Sequence, residues 1–152
     1  MRIFLELSAL LALGATRPAP APVCSLITQE EAAAALGAAV PVGRRQELAM
    51  PLPGRTGHAE ICFYGTEVRV IRFEMGNGAA NLFAQYRTEQ AGRNDGATPL
   101  TGIGDEAFHS GGQITFRKGQ TAFSVDVGQN RGGGPRELAA EKRLALLVLS
   151  RS

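Results

Sequence analysis

The stretch ITFRKGQTAFSVDVG, Ile114 to Gly128, decides the fold class. Ile114 and Phe116 alternate with polar residues before Lys118-Gly119-Gln120, and Phe123, Val125 and Val127 alternate after it. Successive side chains of a strand point to opposite faces, so this period of two predicts a pair of strands, and the short glycine-containing link predicts a hairpin. Upstream, ICFYG (Ile61–Gly65) and EVRVIRFEM (Glu67–Met75) read as two further strands joined near Gly65-Thr66. The second of these carries apolar residues on both sides: Val68 and Val70 on one, Ile71, Phe73 and Met75 on the other. Either it bulges near Val70-Ile71 or it is covered on both faces. A further short strand is expected at Glu106–His109, whereas Val40–Gly57, with three prolines, reads as connection holding at most one short strand.

Three segments between and around the strands switch to helical spacing. TQEEAAAALG (Thr28–Gly37) has both ends marked: Thr28 with Glu31 three residues on forms a capping box, and Gly37 supplies a left-handed exit. In GAANLFAQYRTEQAG (Gly78–Gly92) the stripe is Ala79, Leu82, Phe83 and Tyr86, ending on the polar Gln90. After Pro135, which suits a first helical position, Ala140, Leu144, Leu147 and Val148 form an inward stripe. Helices interspersed with hairpin-joined strands imply an α+β fold, a mainly antiparallel sheet packed by helices.

The 152 residues suit one domain, and 44% hydrophobic with 20% charged residues suits a globular one. The formal net charge is only +2 and the basic residues are scattered, as at Arg44-Arg45 and Arg117-Lys118. Nucleic-acid binding needs a concentrated positive field, so no nucleic-acid partner is expected. At the N-terminus, MRIFLELSALLALGA offers Arg2, a short apolar run and small residues at Ala12 and Gly14. That pattern reads as a signal peptide over 1–15, too short to be a stable membrane span in the processed chain. TRPAPAPV then favours an extended spacer over 16–23, leaving 24–152 as the domain. Export, whether to the periplasm, cell surface or medium, is the expectation. Val23 and Pro22 directly before Cys24 argue against a lipid anchor there. In an exported chain, Cys24 and Cys62 are expected to form a disulfide; the rival is two buried thiols in a cytosolic protein.

Chemistry-bearing motifs are few. GIGDEA (Gly102–Ala107) matches a dinucleotide fingerprint letter by letter, but Thr98-Pro99 before it and FHSGG after it give neither the strand nor the helix that motif needs. A tight turn into a strand fits better. RGGGPRE (Arg131–Glu137) could present amides to an anion, yet lacks the ending of a phosphate loop, and reads as a surface loop. His58 with Glu60, and His109 with Asp105 and Glu106, offer nitrogen and oxygen ligands without metal-site spacing. No catalytic set, metal or cofactor is therefore assigned. The candidate binding positions are His58, Asp105, Glu106, His109, Arg131, Gly132 and Gly133.

Taken together, CSLITQEEAAAALG, CFY, GIGDEAF, ITFRKGQTAFSVDVG and the Ala/Leu-rich last helix resemble a group of small exported bacterial domains of unknown function. Many are actinobacterial or proteobacterial lipoproteins and secreted proteins, similar in fold to the PsbP-like α/β/α sandwich. The resemblance implies paired cysteines at Cys24 and Cys62 and a structural role for GIGDEAF beside the sheet. It implies no catalytic residues. The expected function is a non-catalytic envelope module that binds a protein partner or small ligand; the alternative is a hydrolase-type enzyme using a loop histidine with a carboxylate.

Overall fold

A computed structural model describes residues 21–52, 55–93, 96–128 and 134–152. After a 3-10 turn at Val23–Ser25 come α1 (Gln29–Leu36), β1 (Arg44–Leu52), β2 (Arg55–Tyr64) and β3 (Val68–Glu74). Then follow α2 (Ala79–Arg93), β4 (Thr98–Leu100), β5 (Glu106–Ser110), β6 (Gln113–Lys118), β7 (Thr121–Val127) and α3 (Pro135–Arg151). The seven strands form one sheet in the order β1-β2-β3-β7-β6-β5-β4, with every neighbouring pair antiparallel. This is the α+β fold that the hairpin at Ile114–Gly128 implied. The segment read as mostly connection holds instead a nine-residue β1 and the first three residues of β2.

Helices cover both faces of the sheet. On one face α1, α3 and the N-terminal turn pack over Cys62, Val68, Val70, Ile114, Phe116, Phe123, Val125 and Val127. On the other, Ala79 and Phe83 of α2 pack over Phe108 and Ala122, with Leu82, Tyr86 and Phe73 around them. β3 therefore keeps unbroken register with both neighbours and is covered on both faces; it has no bulge. That resolves its double apolar pattern, because a strand between two helical layers needs apolar residues on both sides. Among the described residues no helix is long and apolar enough to cross a membrane.

Two fastenings hold the N-terminal segment on this core. Cys24 and Cys62 form a disulfide spanning 38 residues of sequence, with Cα atoms 5.1 Å apart. Beside it the buried Tyr64 hydroxyl reaches the carbonyl oxygens of Ile27 at 2.6 Å and Cys24 at 3.2 Å. α1 starts with the expected capping box, in which the Thr28 amide donates to Glu31 and the Glu31 amide to Thr28 Oγ1. Arg151 at the end of α3 clasps both oxygens of Glu31 at 2.7 Å, joining the two helices. That guanidinium is the main reason the Glu31 carboxyl is held down to about 2.

The motif GIGDEA is a tight turn leading into β5. Gly104 has φ 63°, and a Cβ there would lie 2.3 Å from the Arg117 carbonyl oxygen. Only glycine allows this approach, and the Asp105 amide then donates to the same oxygen at 2.8 Å. The Asp105 and Glu106 carboxylates both meet the Arg117 guanidinium, at 2.9 and 3.0 Å. Arg117 lies directly across from Glu106 in the sheet, and Asp105 reaches it from the turn. The pair is thereby a structural clamp at the β5–β6 edge.

Candidate functional site

The α2 face contains a cavity of about 210 Å³ between the helix and the β1–β3 side of the sheet. Met50 and Leu52 of β1 form its outer wall, Phe73 and Met75 its floor, and Leu82 and Tyr86 of α2 its inner wall. The space follows from small residues at sheet positions. Gly57 sits opposite Met50, and Leu52 leans across it so closely that an added Cβ would lie 2.5 Å from Leu52 Cδ1. Ala122 opposes Phe73 on the neighbouring strand. Beneath Tyr86, aromatic rings pack at centroid distances of 6.4 Å to Phe73 and 6.1 Å to Phe108.

The polar groups of the cavity are few. The Thr115 hydroxyl is engaged with Ser124 Oγ at 2.7 Å, so its side of the lining presents a satisfied group. Tyr86 has its phenol proton held above the ordinary range, chiefly by burial and against a hydrogen bond with Gln113. The exposed side chains Gln85 and Glu89 stand at the rim, one helical turn apart, with 3.2 Å between Gln85 Nε2 and Glu89 Oε1. Among the described residues no Lys or Arg lines it. The site is an apolar slot with one carboxylate at its mouth.

The two histidines occupy separate places on the opposite face. His109 of β5 does not meet Asp105 or Glu106; those residues are held by Arg117. Its Nε2 instead faces Oε2 of Glu141 on α3 at 3.4 Å. Glu141 is completely buried, and its other oxygen accepts the Val127 amide at 3.3 Å. That amide needs a partner because β6 begins opposite Asp126, one residue short of Val127. Burial, opposed by the Val127 hydrogen bond and aided by Asp126 and Glu137, pushes the Glu141 carboxyl up to about 8. Burial, with Lys142 nearby, pushes His109 below its usual value. One proton shared between these two atoms satisfies both, and neither has another hydrogen-bond partner among the described residues.

His58 lies on β2, a strand and not a loop, and is exposed. The structure does bring it together with Glu60, and adds Glu47 from β1: their potential ligand atoms lie within 4.8 Å of one another. Both carboxylates are already engaged, however. Arg45 contacts Glu47 and one oxygen of Glu60, and Arg72 contacts the other oxygen. Two guanidiniums at these oxygens supply the charge a metal ion would otherwise bring. Three strands separate the His58 strand from the His109 strand, so the two histidines belong to different sites.

Of the remaining sequence candidates, Arg131, Gly132 and Gly133 lie outside the described residues. Sequence reasoning missed Glu141, Glu47 and the cavity lining. Glu141 was within reach: it sits next to Ala140 and three residues before Leu144, on the inward stripe of α3. Nothing local marked Met50 or Leu52. Comparison of the chain with known proteins found no matching family model, no matching curated protein and no matching solved structure.

Proposed function

We propose that this chain is an exported, non-catalytic binding domain that holds a small apolar molecule, with a cationic or hydrogen-bond-donating end, in the slot beneath α2. The slot carries the reading: seven apolar or aromatic lining residues, no basic residue among the described ones, and Glu89 with Gln85 at the mouth. Pockets of this make-up bind through burial and use a few rim groups to orient the ligand. At about 210 Å³ the slot suits a ligand of one or two rings or a short branched chain. The disulfide and the resemblance to small exported bacterial domains support the compartment.

Titration with 1-naphthylamine, a neutral two-ring aromatic amine whose fluorescence shifts in apolar surroundings, tests the reading. Saturable binding to the native chain is expected, and Leu82→Trp, which fills the slot from a half-buried helix position, should weaken it at least about ten-fold. Absence of saturable binding, or equal binding by a folded Leu82→Trp variant, would overturn it.

A hydrolase built on His58 has one observation in its favour, the two carboxylates beside the imidazole. Ester-substrate turnover abolished by His58→Ala in a folded variant would install that reading in place of the first.

A further inference from the structure

The two edges of the sheet differ. β4 is three residues long and contains Pro99, which cannot donate to an incoming strand. β1 is nine residues long, pairs among the described residues with β2 alone, and residues 44–49 are all exposed. Two of the exposed large hydrophobic residues, Val42 at 75% and Leu48 at 40%, lie at this edge. A long edge strand of this kind is a template for another strand unless its charges repel every partner.

The charges of β1 do not repel a second copy of themselves in one register. In a symmetric antiparallel pair, residues equally far from the two-fold axis face each other on the same side of the sheet. An axis at Gln46 sets Arg45 against Glu47 of the second copy, twice over, and sets Arg44 against Leu48 and Val42 against Met50. Shifting the axis by one residue opposes Arg45 to Arg45 or Glu47 to Glu47. Shifting it to Leu48 puts Arg45 opposite Pro51, inside the ladder. The arginine stem at position 44 can cover Leu48 while its head stays solvated. Arg45 already contacts Glu47 and Glu60 of its own chain, and a guanidinium with five donors can serve one more carboxylate.

We propose that β1 pairs antiparallel with β1 of a second copy about a two-fold axis at Gln46, joining the two sheets edge to edge. The pairing also bears on the slot, because Met50 forms part of its outer wall and Val42 of the second copy packs against that wall. The pairing itself does not depend on what the slot binds.

Cysteine substitutions on the full chain, with the Cys24–Cys62 bridge intact, read the register directly. Residues at the axis face their own copies at about 4.5–5.5 Å between Cα atoms, within disulfide range. Gln46→Cys should therefore cross-link into a covalent dimer under mild oxidation. Leu48→Cys should not, because two residues of offset on each chain separate the thiols by roughly 13 Å along the strands. Sedimentation equilibrium of the unsubstituted chain should give a dimer that weakens as salt rises, and Glu47→Arg should weaken it about ten-fold while leaving the circular dichroism unchanged. A chain that stays monomeric with no Gln46→Cys cross-link overturns the proposal. Cross-linking through Leu48→Cys, or undiminished dimerisation of Glu47→Arg, overturns it equally.

Discussion

Raising the pH should loosen this fold through one residue, Glu141. Its carboxyl is fully buried, accepts the Val127 amide and faces His109, and its folded value of about 8 lies above an unfolded value of 4.5. A folded value raised in this way gives stability that is complete below pH 4.5 and lost as pH climbs to about 8. His109 works in the opposite sense, since burial lowers its value from 6.5 and the folded state gains as the histidine loses its proton in the unfolded chain. The net loss is therefore concentrated above pH 6.5, where the imidazole is mostly neutral in both states and only Glu141 differs. Each pH unit there costs up to about 1.4 kcal/mol, and partial solvent access at His109 reduces the sum over this window to about 1–2 kcal/mol. Asp126, Glu137, Lys142 and Arg69 also act on the pair or its neighbour and set the background. Glu141→Gln keeps an acceptor for Val127 and a donor for His109 but cannot ionise. Urea unfolding between pH 6.5 and 8.5 should show the wild-type free energy falling by that amount and the variant's staying level relative to it. Parallel curves for the two proteins would refute the reasoning.

Four further outcomes are expected. Reducing Cys24–Cys62, or replacing both residues by Ala, should cost roughly 3–4 kcal/mol in the loop-entropy account, read as a lower urea midpoint. Gly104→Ala should cost about 2–3 kcal/mol, because it combines a left-handed backbone with a Cβ pressed on the Arg117 carbonyl; Gly37→Ala, with φ 74° but open space around it, should cost less in the same denaturation assay. Thr28→Ala should cost about 1 kcal/mol by removing half of the capping box. The stability that Glu31 gives is present above pH 4.5 and lost as pH falls through about 2, so acid unfolding of an Arg151→Ala variant should begin at higher pH than that of the native chain.

What could be read from the sequence was whatever is decided within a few residues. The β6–β7 hairpin carries its own period and its own turn, and α1 carries its own cap, so both were legible. β3 was half legible: its double apolar pattern demanded either a bulge or two covered faces, and only the placement of α2 and α3 chose between them. β1 was barely legible, since Val40–Gly57 reads as connection with at most one short strand. RRQELAMPL has charges, a proline and no clean alternation, because an edge strand with solvent along one side is held in place by pairing with β2 and not by its own propensity. The site residues follow the same division. Pairing His109 with Asp105 and Glu106 used nearness in sequence, but the strand alternation turns Glu106 to the opposite face, and the partner comes from 32 residues onward on α3. The slot beneath α2 is less legible still, since it is made by residues absent as much as present. Gly57 and Ala122 leave room, Leu52 folds over the first, and the opening exists only because five elements meet around it. The same edge strand, legible only as at most a short one, supplies the outer wall of that slot. The least locally specified element of the fold thus carries both the proposed ligand contact and the proposed contact with a second copy.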